Sequence, residues 1–455
     1  MSLFSLYFYV LFAGILSISA LLMKLFPNGK RLQKAVLLIG SLVFIVFASW
    51  KCAVIVFAAS AVTWFCGKAK SRFWQKAGIV ILLAVLIFYK IADAQNLNVI
   101  IPLGVSFFTF NAISYLSDVS KSETERAGFF DILLYLSFFP RLTSGPLQKA
   151  ADFFGQLKGE RRISKENLSS GIQMYALGLF KKLVLADRLS VFVNEVYATP
   201  NAFSGWSIWL CVVSYSLLIY FDFSGYSDMA IGSGKMLGFY LPMNFNMPYL
   251  SQNVTEFWRR WHISLSAWIR NYIYIPLGGN RKGAFRQNLN LLIAMTLCGL
   301  WHGATLNFVL WGFVHGIALL VHKQFMRFTK KNCENRAPKR HGRAIVKCIS
   351  ILGIFLFISL TWGLFRAESI SQAALIYKRL FTLAAGLNQP YFWSFVVITI
   401  TLIAGIVVTV RNNGNAFYPE LTLSNYLQLT LFFVFTGLIF AFCYTNGSPF
   451  IYGAF

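Results

Sequence analysis

Apolar positions run in long stretches from one end of the chain to the other: Leu6–Leu22, Ala35–Ala48, Ala53–Phe65, Gly78–Phe88, Ile208–Tyr220, Ile345–Phe365, Phe392–Val410 and Leu427–Cys443. Stretches of this kind suit helices that cross or half-cross a bilayer, and the period-2 alternation of a membrane β-barrel is lacking. Short basic loops separate them, with no polar domain in between. The pattern predicts a single all-α polytopic membrane domain over residues 1–455. At about 20 residues per full span it allows roughly ten to thirteen spanning or re-entrant helices. The first run has no basic residues ahead of it and further spans follow at once, so it reads as a membrane helix and not as a cleaved signal peptide.

The texture changes at Ile101. The stretches IPLGVSFFTFNAISYLSDV and FFPRLTSGPLQKA mix Gly, Pro, Ser, Thr and Asn into apolar runs too short for full spans. Such breaks survive at membrane depth only where protein or a water-filled cavity satisfies the loosened backbone. Pro140–Pro146 therefore reads either as a re-entrant turn lining an interior chamber or as a helix cap followed by an interfacial loop. Further on, Thr255–Arg270 predicts an amphipathic interfacial helix, because Trp and Arg favour the headgroup level. PLGGNRKG, Pro276–Gly283, reads as a basic turn, and Phe325–Arg343 as a polar basic loop. The closing NGSPFIYGAF is aromatic and suited to packing at an interface. No internal repeat is evident.

Composition agrees: 57% of the residues are hydrophobic, 13% are charged, and the mean hydropathy is +0.61. A soluble surface on a chain of this length would need far more charge. The formal net charge of +25 matters through its placement, in clusters at Lys24–Lys34, Lys68–Lys76, Lys149–Lys165, Arg259–Arg286 and Lys323–Lys347. By the positive-inside rule these are cytoplasmic, which puts the N-terminus outside the cytoplasm. Dispersed over loops between apolar helices, they suit membrane lipid headgroups and argue against nucleic acid. Seven cysteines stand singly without CxxC, so neither a disulfide framework nor a metal site follows.

The chemistry concentrates around His302. Between Arg286 and Lys323 lie two apolar segments, Leu289–Leu300 and Thr305–Val321. The first would be about 18 Å long as a helix, against a hydrocarbon core of about 30 Å. The Trp301-His302-Gly303 turn should then lie inside the membrane profile, where an ionisable group points to function. The bland alternative is a histidine satisfied by a neighbouring carbonyl. Gly299 and Gly303 would leave the backbone open to a ligand. His262 follows Trp258-Arg-Arg-Trp; the adjacent positive charge favours a neutral ring able to act as base or acceptor, and an interfacial histidine bonding headgroups is the plain alternative. His315, His322 and His341 read as structural, and no facing pair suggests haem. Asp222 and Asp228 stand about 240° apart on a helix and so form no carboxylate dyad. Pairing with Lys235, an Arg or a His is expected for them, whether they orient His262 or line an aqueous entrance. Ser224 and Ser227 sit in no nucleophile elbow, and Gly234-Lys235 is followed by Met236, which rules out a P-loop.

With these residues in view, the sequence resembles the MBOAT (membrane-bound O-acyltransferase) family, nearest its bacterial polysaccharide O-acetylation branch (AlgI- and PatA-like, related to DltB). The resemblance rests on PLGVSFFTFNAISYLSDV, FFPRLTSGP, FDFSGYSDMAIG, LPMNFNMPYLSQNVTEFWRRWHISLSAWIRNYIYIPLGGNRKG and LNLLIAMTLCGLWHGATLNFVLWGFVHG, in that order across a core of residues 101–322. It implies helices around a central tunnel, with His302 as catalytic base or acyl relay and His262 as a second important histidine. It further implies transfer of an acetyl group from a cytoplasmic thioester to an extracytoplasmic polysaccharide such as peptidoglycan or alginate. Acetyl-CoA would be a co-substrate, with no bound cofactor and no metal. A periplasmic SGNH-type partner and a bacterial inner-membrane location go with it. Arg259, Arg260 and Arg270 are then candidates for attracting the donor, and Asp222, Asp228, Trp301 and Asn246 for lining the tunnel. Asn271 departs from the branch, which usually has Asp after Arg, so a donor-side salt bridge is in question. The alternatives are a D-alanyl transferase of the DltB type and a non-catalytic transporter or flippase.

Overall fold

Small polar side chains open several of the helices by accepting a backbone N–H: Ser5 from Phe8, Ser164 from Asn167, Ser204 from Ser207 and Asn253 from Glu256. The computed structural model describes residues 3–26, 29–95, 97, 99–159, 163–332, 340–412, 415 and 426–444. In chain order the helices are α1 (Leu6–Leu25), α2 (Gly29–Ala48), α3 (Trp50–Lys68), α4 (Arg72–Ala94), α5 (Val105–Ser120), α6 (Phe129–Ser137), α7 (Ala150–Lys158), α8 (Lys165–Leu179), α9 (Asp187–Ala198) and α10 (Gly205–Met236). They continue with α11 (Val254–Arg260), α12 (Ile263–Ile269), α13 (Gly283–His302), α14 (Leu306–Asn332), α15 (Arg340–Arg366), α16 (Ile370–Phe381), α17 (Phe392–Asn412) and α18 (Tyr426–Phe442). Among the described residues no strand forms beyond an isolated bridge between Phe203 and Leu387. The protein is an all-α polytopic membrane protein, and eight described helices are long and apolar enough to cross a bilayer.

Burial separates the framework from the centre. The apolar window of α10 is 83% buried, against 17% for α17 and 22% for α1 and α4. Outer helices carry exposed apolar side chains such as Val10, Val80 and Leu402, a surface fit for lipid. At 32 residues α10 is about 48 Å long and forms the central post. It lies against α8 backbone to backbone: a Cβ on Gly178 would sit 2.5 Å from the Gly225 carbonyl, and one on Gly232 would sit 2.6 Å from that of Gly171. Side chains at those positions would drive the two helices apart.

Between α8 and α9 the residues Phe180–Ala186 wind as a π-helix. The wider turn brings residues five apart onto one face, and such segments cluster at functional sites. Pro140–Pro146 follows α6 and is buried except at the half-buried Thr143, with Arg141 2% exposed. Its interior position matches the re-entrant alternative.

Three local expectations change. Thr255–Arg270 is not one helix but α11 and α12, broken at Trp261 and His262, where His262 takes φ +41° and ψ +55°. The apolar stretch before His302 belongs to a helix of 20 residues, because α13 already starts at Gly283 within the polar segment. Most of Phe325–Arg343 is helical, since α14 runs to Asn332 and α15 starts at Arg340. The closing segment after Tyr444 lies outside the described residues.

Candidate active site

His302 closes α13 and is 3% exposed. The α13–α14 hairpin that carries it is packed by glycines: a Cβ on Gly299 would lie 2.1 Å from the Phe308 carbonyl, and one on Gly312 2.3 Å from that of Met295. Gly303 meets the Phe308 ring at 2.4 Å by the same construction. These glycines admit α14, not a ligand as the sequence suggested. Lys323 bonds Asn288 at 2.8 Å and Arg327 bonds Gln287 at 3.0 Å at the basic end of the hairpin. From that polar layer the rise to His302 is about 21 Å, so the turn still falls short of a full crossing of about 30 Å.

Around the imidazole stand Trp301 at 4.6 Å, Phe365 at 5.0 Å, Trp311 at 5.4 Å and Phe308 at 6.3 Å between ring centroids. Trp301 also reaches His262, 6.5 Å away, so one indole contacts both histidines. His262 is 1% exposed and packs edge-on against Phe223 of α10 at 4.7 Å. Its left-handed backbone is unusual for a side chain with a Cβ and needs outside support. Support comes from residues 244–246: Ile263 N–H donates to the Asn244 carbonyl at 3.0 Å and Asn246 N–H to that of Arg260 at 2.9 Å. The Asn244 side chain accepts from the Ser264 hydroxyl at 2.6 Å. The motif glycines and asparagines thus hold two buried imidazoles around one indole.

Arg260 is committed within the chain, to Glu256 at 2.9 Å and to the Asn246 carbonyl at 3.1 Å. Arg259 and Arg270 are exposed, leaving them the more available to an anionic donor. Asn246 is half-buried and bonds Asn415 at 3.2 Å, among these loops and in none of the cavities described below. A cavity of about 230 Å³ begins beside His262, at Ile263 and Ser264, and continues past Asn111, Gln148 and Asn271. Asn271 therefore borders this approach. Of the other histidines, His315 is buried with Nε2 3.0 Å from the Thr361 hydroxyl, and His322 Nδ1 lies 2.8 Å from that of Thr255. The side chain of His341 lies outside the described residues.

The aspartates take lysine partners from the segment between α8 and α9. Asp228 bonds Lys181 at 2.5 Å and Asp222 bonds Lys182 at 2.6 Å, while Asp187 takes Lys182 as well at 2.9 Å. The cause is the π-helix, whose five-residue repeat sets Lys182 over Asp187 and points two successive lysines at α10. Asp222 lines a cavity of about 430 Å³ together with Lys182, Asp187 and Phe308, whose ring contacts His302. Asp228 is in none of the cavities described. Sequence reasoning missed Lys181, Lys182 and Asp187, although adjacent lysines inside the apolar run GLFKKLVLADRL were a visible signal. It also missed Lys90, which lies over the Trp301 ring with Nζ 5.9 Å from its centroid. Among the described residues no group of His, Cys, Asp or Glu could hold a metal ion.

Two of these features suit a reaction centre on chemical grounds alone. A buried imidazole can take a proton from a hydroxyl, and a water-poor aromatic surround strengthens every polar contact made there. Residues 14–366 match the model of the membrane-bound O-acyltransferase family. The chain is 35% identical over 384 residues to a protein named probable alginate O-acetylase AlgI from Pseudomonas putida, covering 78% of this chain and 76% of that protein. It is 34% identical over 382 residues to the peptidoglycan O-acetyltransferase of Helicobacter pylori, covering 75% and 69%. With the teichoic acid D-alanyltransferase of Bacillus subtilis it shares 28% identity over 251 residues, covering 51% and 62%.

Proposed function

This chain belongs to the membrane-bound O-acyltransferase family and is an O-acyltransferase, and from that premise we propose that it transfers acetyl groups for the O-acetylation of a polysaccharide outside the cytoplasm. The observation that carries the reading is the pair of buried histidines, His262 and His302, in contact with one indole, Trp301. His302 takes the proton of the acceptor hydroxyl as its oxygen attacks the thioester carbonyl. The C–S bond breaks, the proton passes to the departing thiolate, and an acetyl ester and a free thiol result. His262, held in its strained turn, positions the thioester. Acetyl-CoA is the proposed donor, entering from the basic, cytoplasmic face through the cavity beside Ile263 and Ser264. Arg259 and Arg270 attract its phosphates, and Arg260 keeps the α11 turn in place. The N-terminus then lies outside the cytoplasm, in a bacterial inner membrane, and a periplasmic SGNH-type partner completes delivery to the polymer.

The test is base-labile acetate on peptidoglycan and exopolysaccharide from cells carrying the wild type or His302→Ala. Loss from one polymer, with the variant still present in membranes, identifies reaction and acceptor together. Unchanged acetate on every polymer removes this reading. Loss of D-alanyl esters in its place would move the protein to the chemistry named for the Bacillus subtilis relative, and thioester consumption by neither would leave a transporter.

A further inference from the structure

An ammonium group stands beside the two histidines without a part in the proposed transfer step. Lys90 belongs to α4, where the run GIVILLAVLIFY ahead of it carries no charge. Its side chain is half-buried, with Nζ 5.9 Å from the centroid of the Trp301 ring. A cation at that separation is drawn to an indole face. Trp301 in turn contacts His302 at 4.6 Å and His262 at 6.5 Å between centroids, so the ammonium is one ring away from both imidazoles. The charge of Lys90 also reaches the His302 ring. From α5, Phe110 at 5.3 Å and Phe107 at 6.1 Å touch the same indole.

A lysine in an apolar helix is costly, and an uncharged residue of similar length would pack α4 as well. Arg72 in the basic cluster opens α4, and Lys90 lies about 27 Å further along it, near the opposite surface of the membrane. The plain alternative is a side chain that reaches for outer water or for the exposed Asp93 one turn on, whose charge also acts on Lys90. The placement of Nζ over the indole points inward instead.

We infer that Lys90 is a positioning residue of the reaction centre, whose charge holds the Trp301 ring against His262 and His302. The inference rests on the two-histidine centre proposed above and not on which acyl group is carried. Contacts with Phe107 and Phe110 bury the indole but are loosely directional, whereas a cation over its face adds an attraction that depends on where the ring lies. That attraction is offset by the cost of withdrawing the ammonium from water, so a neutral replacement leaves the fold near its former stability and releases the ring. A shift of about 1 Å among reacting groups is enough to slow an enzyme severely.

Membranes carrying each variant would be titrated with labelled acetyl-CoA, and base-labile polymer acetate followed per molecule of protein. Lys90→Met should lower kcat by about 3–30-fold, the range of cation–π attraction, and leave the KM for acetyl-CoA within about 2-fold. Lys90→Arg keeps the charge and should stay within about 3-fold of the wild type. Asp93→Asn should behave as the wild type. In a Trp301→Phe background, whose smaller ring attracts a cation less, Lys90→Met should cost less than in the wild type. The folded half-life of Lys90→Met in detergent should move by less than about 2-fold. A kcat loss under about 3-fold, an arginine variant as slow as the methionine one, an equally slow Asp93→Asn, an undiminished loss in the Trp301→Phe background, or a matching fall in half-life would each overturn the inference. If wild-type membranes transfer another acyl group in place of acetate, the acetyl reading falls and the same ratios are read on that ester. If His302→Ala transfers as fast as the wild type, the two-histidine centre falls and this inference with it.

Discussion

Replacing Lys182 by Met removes the cation that bridges Asp187 and Asp222. The three side chains are 2%, 4% and 1% exposed, and the two N–O distances are 2.9 and 2.6 Å. At these separations the gross attraction is on the order of 6 kcal/mol per pair for an effective dielectric near 20, most of it offset by desolvation. Stripping the shared partner leaves two neighbouring carboxylates buried without it, a loss of about 3–5 kcal/mol. Asp222→Asn is different, because Lys182 keeps Asp187; the loss should be about 1–3 kcal/mol, that of one hydrogen bond to a charged group. Combining Lys182→Met with Asp187→Asn and Asp222→Asn should recover much of the first loss, since no unpartnered charge then remains. The assay is the half-life of folded protein in detergent at fixed temperature, appropriate for a membrane protein that unfolds irreversibly. If the whole loss appears in the unfolding rate, Lys182→Met should shorten that half-life on the order of 10²–10⁴-fold. A triple variant as short-lived as Lys182→Met, or an Asp222→Asn as damaging, would show that packing and not charge governs the site.

His302→Ala should lower acetyl transfer by about 10²–10⁴-fold, the usual contribution of a general base, with an unchanged elution profile in detergent. Gly299→Ala should destabilise the α13–α14 hairpin by roughly 1–3 kcal/mol, because the new Cβ would lie 2.1 Å from a backbone oxygen that cannot rotate away. Arg259→Gln and Arg270→Gln should raise the KM for acetyl-CoA, more so at low salt, whereas Arg260→Gln should mainly shorten the folded half-life by releasing Glu256 and the Asn246 carbonyl. A steady-state titration of the donor at two ionic strengths separates these cases.

Hydrophobic patterning alone determined the membrane class, the outer helices and the breaks at Pro140–Pro146, because lipid forbids unsatisfied backbone and the chain must advertise where it obeys. The WHG motif marked His302 through the expense of placing it among apolar residues, and RRWH marked His262 through the positive charge beside it. Periodicity misjudged α11 and α12, since nothing local announces a left-handed His262; the turn exists because residues 244–246 bond to it from elsewhere in the chain. The aspartates show the same limit. Their charges were legible at positions 222 and 228, yet their partners are Lys182 and Lys181, more than 35 residues away in sequence and aimed by a π-helix that no pattern of apolar spacing reveals. Sequence determines what must be buried. Which buried groups meet is decided by helix register and close glycine contacts, properties that exist only once α8, α10, α13 and α14 are packed.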